Sequence, residues 1–272
     1  MIYTGGIDVG SVYTKVVILN EDREIVGSSM SKTGFRVEEA ARRTFEGALK
    51  NSGLNEEDIS YSIATGFGRH QISFGDLAVT DLTASARGGT FLYPNTRTVL
   101  DVGGQTMKAS HLDETARVQS FRLNDKCAAG TGAFLEKTAF YMGYKTEEVE
   151  PLVATSKQAV SISGVCAVFA ESEVINHLSH GSAPADIMHG AIISLVDRSL
   201  QLMKRVRMEP EFTLVGGILR FNTMSQVIRE RLGNGVNVPP AEIVQFVGAL
   251  GAAILGHLRL AKLQKKDRYA VN

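Results

Sequence analysis

Two short corners of the same kind constrain the fold of this 272-residue chain more than any other feature. In each, an apolar strand ends in Asp-Val-Gly and a second strand carrying a lysine follows; the aspartates, Asp8 and Asp101, lie 93 residues apart. A single corner of this kind is equally typical of an ordinary hairpin with Asp and Gly in its turn. Two of them, among strands and amphipathic helices, predict a duplicated α/β fold with one phosphate loop from each half, closing on a nucleotide between them.

The residue types at the first corner suit phosphate binding. Gly10 allows the backbone to approach a phosphate closely, Ser11, Thr14 and Lys15 offer donors, and Asp8 could hold a magnesium ion through water. The second corner repeats the pattern with an aspartate, two glycines, an amide, a hydroxyl and a lysine: Asp101, Gly103, Gly104, Gln105, Thr106 and Lys108.

A third glycine corner, Gly216-Gly217, lies between a predicted strand and a predicted helix. It could let an adenine or a ribose lie against the backbone, although by itself it is also typical of an ordinary turn between a strand and a helix. The last predicted helix, Glu242 to Leu260, carries small residues at intervals that suit close packing against another backbone: Gly248, Gly251 and Gly256.

The two cysteines of the chain each stand just before a predicted helix. Cys127 lies in a Gly-rich turn before the helix Ala133 to Tyr141, and Cys166 lies before the helix Ala167 to Leu178. Free backbone N–H groups and the helix dipole stabilise a thiolate or another anion at such a position. Two cysteines exclude a disulfide scaffold, so they are inert, catalytic or metal-binding.

The composition limits the kinds of partner that this protein can bind. The chain has 29 basic and 29 acidic residues, with no basic stripe that would indicate nucleic acid. Its apolar content of 44% is sufficient for a substantial core. The start shows no secretory signal pattern, and no uncharged apolar run approaches the length of a membrane span. We therefore expect a cytoplasmic protein without a membrane or nucleic-acid partner.

The three glycine corners, in this order, resemble those of the superfamily of sugar kinases, actin and heat-shock chaperone ATPases. The cysteine blocks, Lys126 to Glu136 and Gly164 to Ile175, are similar to those of ATP-driven electron activators: the activators of 2-hydroxyacyl-CoA dehydratases and the ATPase subunits of benzoyl-CoA reductase. The resemblance runs from about Ile2 to about Gly256. It implies an actin-like, ribonuclease-H-like ATPase fold whose two lobes have mixed sheets flanked by helices. We expect the lobes at residues 1–123, with both phosphate loops, and 124–272, with the last helix free to return to the first.

The resemblance also implies roles for individual residues. Asp8 and Asp101 would hold magnesium through water, Gln105 would position the attacking water, and Glu136 would reach the ribose. Phosphate and adenosine contacts would come from Gly10, Ser11, Thr14, Lys15, Gly103, Gly104, Lys108, Gly216 and Gly217. Cys127 and Cys166 would together bind a single four-iron four-sulfur cluster, and a homologous or identical subunit would supply two more cysteines to the same cluster. A ferredoxin would donate electrons, and separate reductase or dehydratase subunits would carry the substrate site.

Two positions depart from the family pattern, and they bear on which of the two groups in the family this chain resembles more. Thr106 stands where compared members often carry Asp, and Ile218-Leu219-Arg220-Phe221 stands where a small or polar run is expected. These departures favour an ATPase subunit of benzoyl-CoA reductase over a homodimeric dehydratase activator. Outside the family, a small-molecule kinase with Asp101 as its base stays open but leaves the cysteines without a role. A nucleotide-gated redox sensor would be separated from an enzyme by its lack of turnover.

Overall fold

The computed structural model describes residues 1–124, 131–163 and 167–270. The chain divides into two compact units, one made of Met1–Pro94 with Phe246–Asn272 and the other of Asn95–Gln245. The first stretch of unit 1 forms five strands and two α-helices: β1 (Tyr3–Val9), β2 (Tyr13–Leu19), β3 (Ile25–Lys32), α1 (Val37–Ser52), β4 (Ile59–Thr65), β5 (Leu77–Ala78) and α2 (Asp81–Leu92).

Unit 2 forms the middle of the chain, after which α8 (Val247–Ala270) returns to unit 1. Short 3₁₀ turns occur at Thr146–Glu148 and Gly217–Arg220. The strands and α-helices of unit 2 are β6 (Thr98–Val102), β7 (Met107–Leu112), β8 (Val118–Asn124), α3 (Gly132–Tyr141), α4 (Val149–Val153), α5 (Ala167–Ser179), α6 (Pro184–Lys204), β9 (Phe212–Val215), α7 (Asn222–Leu232) and β10 (Val236–Asn237).

The two units have sheets of the same topology. The strand order is β3-β2-β1-β4-β5 in unit 1 and β8-β7-β6-β9-β10 in unit 2. In each sheet the central strand pairs antiparallel with the strand that follows it and parallel with a strand reached through helices. The expected mixed sheets flanked by helices are therefore confirmed, and each sheet repeats the other strand by strand.

The division into units does not coincide with the expected boundary between residues 123 and 124. Strands β6, β7 and β8 share one sheet with β9 and β10, so the second Asp-Gly corner belongs to unit 2. In unit 1, α8 packs against β1 and α2, and glycines lie at the points where the backbones come closest. A Cβ at Gly6 would overlap the Ala249 carbonyl, and a Cβ at Gly251 would overlap the Ala84 carbonyl.

The core of unit 1 follows the alternation of side chains along β1 and β2. One face of the sheet carries Ile7, Val9, Val16 and Ile18 against α1. The other face carries Val17 and Leu19 against α8. Apolar residues near helical spacing predict an amphipathic helix at Val37 to Asn51 that ends at Gly53. The structure confirms this helix as α1: its buried face includes Ala40, Ala41, Phe45, Ala48 and Leu49, and Gly53 follows it in the left-handed conformation. Unit 2 has its own core, built around α6.

The sequence alone predicts a strand at Ala159 to Gly164, leading to Cys166, and this prediction is wrong over the residues that the structure describes. Residues 159–163 form no strand, because their backbone groups bond to α5 and α6 instead of a neighbouring strand. The Val160 N–H donates to the Asp186 carbonyl, and the Ser163 N–H donates to the Glu173 carboxylate. Within the described ranges, none of the helices is long and apolar enough to cross a membrane.

Candidate functional site

The first corner is built around an ion pair across the hairpin of β1 and β2. Asp8 and Lys15 are directly opposite in the strand register, and Lys15 Nζ lies 3.1 Å from Asp8 Oδ2. The two side chains are only 17% and 16% exposed, for Lys15 and Asp8 respectively. A lysine and a carboxylate held together at a part-buried strand end can bind a phosphate and a hydrated cation.

Two glycines lie against the Asp8 carboxylate, at positions where a side chain would press on it. Gly66 directly follows β4, which pairs in parallel with β1, and its φ is +88°. A Cβ placed at Gly66 would lie 2.5 Å from Asp8 Oδ1, and one at Gly248 of α8 would lie 3.5 Å from Asp8 Oδ2. In this cradle two residues without side chains border a single carboxylate, and a single carboxylate can hold a magnesium ion that keeps most of its water shell.

The turn between β1 and β2 is fixed by hydroxyl groups beneath it. A Cβ at Gly10 would lie 2.6 Å from the Tyr13 carbonyl, so the turn excludes a side chain there. The Thr33 hydroxyl donates to the Gly10 carbonyl at 2.8 Å and bonds to the Thr14 hydroxyl at 2.9 Å. Thr14 is fully buried, whereas Ser11 is half-buried. The structure thus places the Thr14 hydroxyl beneath the corner and not on its surface.

The second corner has the same construction in unit 2. Asp101 of β6 is directly opposite Lys108 of β7, as Asp8 is opposite Lys15. The turn between them is closed by the Gly103 N–H, which donates to the Thr106 carbonyl at 2.9 Å. Gly103 and Gly104 are half-buried, and Gln105 is exposed at the tip.

The two corners also match in the strand that pairs in parallel with the strand of the aspartate. Gly216 follows β9, which pairs in parallel with β6, and its φ is +100°. A Cβ at Gly216 would lie 2.8 Å from Asp101 Oδ1 and 2.5 Å from the Val102 carbonyl. At Gly66 the corresponding distances are both 2.5 Å, to Asp8 Oδ1 and the Val9 carbonyl. Each unit therefore holds an aspartate between an opposing lysine and a glycine at positive φ.

Gly66, the glycine in unit 1, is a candidate site residue that the sequence alone does not single out. Gly66 reads there only as the end of a strand, although Gly216, in the same position after its strand, is given a ligand-binding role. The sequence pattern that could have identified Gly66 is an order found in both halves of the chain: a strand, then Asp, Gly and Lys, then a helix, a strand and Gly.

The start of α3 is attached to the second corner. The Gly132 N–H donates to the Gly103 carbonyl at 3.0 Å, and the Ala133 N–H donates to the Gly104 carbonyl at 2.8 Å. These bonds satisfy two of the N–H groups that a helix start leaves free. A Cβ at Gly132 would lie 2.7 Å from Ile218 Cδ1, in the 3₁₀ turn that begins at Gly217. Gly103, Gly132 and the Gly216-Gly217 corner therefore form one packed assembly in unit 2.

The other predicted site residues lie in α3 or in the segments before α3 and α5. Glu136 is exposed on α3. Cys127 and Cys166, the predicted metal ligands, lie outside the described residues; they precede α3 and α5. Those two helices are joined by Lys137 Nζ and Glu171 Oε2, 2.6 Å apart, and this hydrogen bond raises the pKa of Lys137.

The donor chemistry of these segments fits an iron–sulfur cluster. The pair Lys137–Glu171 lies about one to one and a half turns from the first residue of each helix. Each of these two helices follows a segment that carries one cysteine, and thiolates are the usual ligands of such clusters. In the described ranges no group of three or more His, Cys, Asp or Glu side chains offers a different metal site.

Comparisons with known proteins find relatives that align along nearly the whole chain. An activating ATPase of (R)-2-hydroxyglutaryl-CoA dehydratase from Acidaminococcus fermentans is 38% identical over 96% of this chain and 99% of its own. The solved structure of an activator of 2-hydroxyisocaproyl-CoA dehydratase from Clostridium difficile, with bound ADPNP, is 38% identical and superposes with a TM-score of 0.89, covering 97% of each chain. One of the subunits of benzoyl-CoA reductase from Thauera aromatica is 31% identical over 100% of this chain and 99% of its own.

The predicted fold class, an actin-like ATPase fold, is confirmed by these superpositions. A family model described as the BadF/BadG/BcrA/BcrD ATPase family matches residues 6–256, which include both corners, both cysteines and the Gly216-Gly217 corner. The chain belongs to the BadF/BadG/BcrA/BcrD ATPase family.

Proposed function

We propose that this chain is the ATP-hydrolysing activator of a 2-hydroxyacyl-CoA dehydratase. The observation that carries the proposal is the repeated Asp-Lys-Gly arrangement at Asp8 and Asp101, within a chain that aligns almost end to end with dehydratase activators. Hydrolysis of ATP would drive an electron, received from a ferredoxin, onto the dehydratase at low potential.

For ATP, we assign the two aspartates to a hydrated magnesium ion and the two lysines, Lys15 and Lys108, to the phosphates. Catalysis would rest on positioning and on neutralising the charge of the phosphates, with the exposed Gln105 orienting the attacking water. Glu136 would reach the ribose. Backbone contacts would come from Gly10, Ser11, Gly103 and Gly104 for the phosphates, and from Gly216 and Gly217 for the adenosine. Thr14 would act beneath the corner, through Thr33, without touching the nucleotide.

For the electron, we assign Cys127 and Cys166 to a four-iron four-sulfur cluster. Two thiolates from one chain complete half of a four-thiolate set, so a second, identical subunit would supply the other two. When bound, the cluster would supply a one-electron carrier of low potential. The chain's own part is to hold the two cysteine segments: α3 and α5 follow them, and the Lys137–Glu171 pair joins the helices.

The sequence alone favours a benzoyl-CoA reductase subunit, but we now prefer the alternative, an activator of a 2-hydroxyacyl-CoA dehydratase. Dehydratase activators are 38% identical to this chain and the reductase subunit is 31% identical. The two departures that had favoured the reductase also have structural explanations. Thr106 contributes its carbonyl to the turn, which any residue type supplies, and Ile218 and Leu219 are core residues, the first packed on Gly132. Neither position therefore discriminates between the two groups.

The deciding experiment is reconstitution with each kind of partner. Protein purified without air should contain about four iron atoms per two chains, hydrolyse ATP, and switch on a purified 2-hydroxyacyl-CoA dehydratase when supplied with reduced ferredoxin. Gln105→Ala should bind ATP and iron but fail in both hydrolysis and activation, while Thr115→Ala, in the distant β7–β8 turn, serves as the control. Iron-containing protein that supports only benzoyl-CoA reduction would favour the reductase assignment. Iron-free protein that phosphorylates a hydroxyl acceptor would support a kinase.

A further inference from the structure

The last residue of β4, Thr65, has a buried hydroxyl group without a hydrogen-bond partner. The residue is 0% exposed, and none of the described residues donates to its Oγ1 or accepts from it. Thr4 of β1 is equally buried, but its hydroxyl donates to the Ala253 carbonyl of α8 at 3.0 Å. A buried hydroxyl without a partner lowers the stability of a protein, so its presence at the end of β4 requires an explanation.

Thr65 lies directly beside Asp8 in the sheet of unit 1. The parallel register of β1 and β4 pairs the two residues, so their side chains stand on the same face of strands that are about 4.8 Å apart. On the other side of Asp8, the antiparallel register places Lys15, whose Nζ bonds to Oδ2. Oδ1 lies toward β4, since a Cβ on Gly66, the residue after Thr65, would be 2.5 Å from it. The carboxylate therefore has the lysine on one side and the strand of the unpartnered hydroxyl on the other.

Unit 2 has a valine at the equivalent position. Val215 is the last residue of β9, is paired with Asp101 in the same parallel register, and is 1% exposed. Valine and threonine are both branched at Cβ, and they differ in that threonine carries a hydroxyl where valine carries a methyl group. The sheet topology that the two units share therefore accepts an apolar side chain at this position. The Thr65 hydroxyl is not required for the strand to form.

We propose that Thr65 is a positioning residue for the magnesium site at Asp8, and that its hydroxyl donates to the Asp8 carboxylate when Lys15 binds the phosphates of ATP. The inference rests on the proposed function, in which Lys15 is assigned to the phosphates and Asp8 gives up the partner that it has in this structure. A carboxylate that is largely shielded from solvent then needs another donor, and a hydroxyl can rotate to supply one. Held from the β4 side, the carboxylate keeps its second oxygen for the hydrated ion.

The hydroxyl has opposite consequences in the two states of the protein. Without magnesium and nucleotide it is a buried polar group without a partner, so its replacement by a methyl group is neutral or stabilising. With both bound it makes a hydrogen bond to a charged group, which is stronger than one between neutral groups. A threonine that only supported the fold would have the same effect in both states.

The test compares substitutions of nearly equal shape in the full chain, purified without air. Thr65→Val removes the hydroxyl and Thr65→Ser retains it. Thr4→Val is the matched control, because Thr4 is a buried threonine on the same face of the neighbouring strand, four residues before Asp8. Melting temperatures are measured first in EDTA and then with ADPNP during a titration with MgCl₂. The MgCl₂ concentration at half-maximal ATP hydrolysis is the second readout.

In EDTA, Thr65→Val should melt at or above the wild-type temperature, whereas Thr4→Val should melt below it. Thr65→Val should need about tenfold more MgCl₂ than the wild type in both titrations, because a hydrogen bond to a charged group is lost. Thr65→Ser and Thr4→Val should need the wild-type concentration.

A wild-type magnesium requirement in Thr65→Val would overturn the inference. So would a Thr65→Val protein that melts lower in EDTA or does not fold, since the hydroxyl would then already support the fold without the ion. Wild-type protein whose melting temperature does not respond to MgCl₂ and ADPNP would instead refute the ATP site of the proposed function, and this role with it.

Discussion

Gly66 lies against the carboxylate of Asp8, so closely that a Cβ added to the glycine would be 2.5 Å from Oδ1. The relationship is repeated between Gly216 and Asp101 in the other unit, at 2.8 Å. Both glycines have positive φ, and both follow a strand that pairs in parallel with the strand of the aspartate. A side chain at either position would therefore displace the carboxylate that we assign to magnesium.

The first prediction concerns Gly66→Ala. Displacing Asp8 should lower kcat/KM for ATP hydrolysis by about 100-fold, because misplacement of a catalytic group by about 1 Å has an effect of that order. Gly53→Ala is the control: Gly53 also has a positive φ, +70°, but a Cβ there meets nothing within 4 Å. It should cost stability only, about 1 kcal/mol. Steady-state kinetics and urea denaturation of both variants separate the two effects, and equal activities would refute the role of the cradle.

The second prediction concerns the Asp8–Lys15 pair. Because the atoms are 3.1 Å apart and both side chains are largely shielded from solvent, the two residues should be energetically coupled. A double-mutant cycle with Asp8→Asn and Lys15→Met should yield a coupling energy of about 1 to 2 kcal/mol in chemical denaturation. The exposed pair Arg36–Glu39, treated in the same way, should show about 0.5 kcal/mol or less. Strict additivity at the first pair would indicate that it does not stabilise the corner.

Several of these relationships could be predicted from the sequence and others could not. The helix α1 and the small-residue contacts of α8 followed from local spacing, and both corners followed from the order Asp, Val, Gly. The direction of the Thr14 hydroxyl did not, because it is decided by Thr33, 19 residues away. The interpretation of residues 159–163 as a strand failed for the same reason. Their backbone is bonded by side chains of later helices, and no local pattern encodes those contacts.

The third prediction separates Thr14 from the phosphate-facing residues. Thr33→Val removes both the bond to Thr14 and the donor to the Gly10 carbonyl, and it should lower stability by about 1 to 2 kcal/mol and raise KM for ATP by loosening the turn. Thr14→Val removes only the first bond and should have the smaller effect on both quantities. Ser11→Ala should raise KM with little change in stability. A larger effect of Thr14→Val than of Ser11→Ala on KM would mean that Thr14 contacts the nucleotide.

The fourth prediction concerns pH. Burial lowers the pKa of His257 in α8, and its Nε2 has no hydrogen-bond partner among the described residues. The unfolded chain therefore binds the proton first, near pH 6.5, so stability is complete above that pH and falls as the pH drops below it. The slope cannot exceed about 1.4 kcal/mol per pH unit for one proton. His257→Phe should weaken this dependence between pH 6.5 and 5, measured by denaturation at several pH values, whereas the exposed His180→Phe should not.

The last prediction tests whether a shift at the second corner, Asp101 to Lys108, is transmitted through α3 to the segment that carries Cys127. Gly132→Ala places a methyl group 2.7 Å from Ile218 Cδ1 and 3.3 Å from the Gly103 carbonyl. Since the Gly132 N–H also bonds to that carbonyl, the start of α3 should shift away from the corner. We expect both ATP hydrolysis and iron retention to fall, although Gly132 is neither a phosphate contact nor a metal ligand in the proposal.

A compensating substitution identifies the cause of that loss. Ile218→Ala removes the methyl and methylene groups that the new Cβ would meet, while the Gly103 carbonyl stays in place. If steric contact with Ile218 is responsible, the double variant should recover most of both activities at a cost of about 2 to 4 kcal/mol in stability from the lost core side chain. If only the contact with Gly103 matters, the double variant should remain as impaired as Gly132→Ala. Loss of hydrolysis with full iron retention would contradict a joint between the corner and the segment that carries Cys127, because a shift of α3 must act on both.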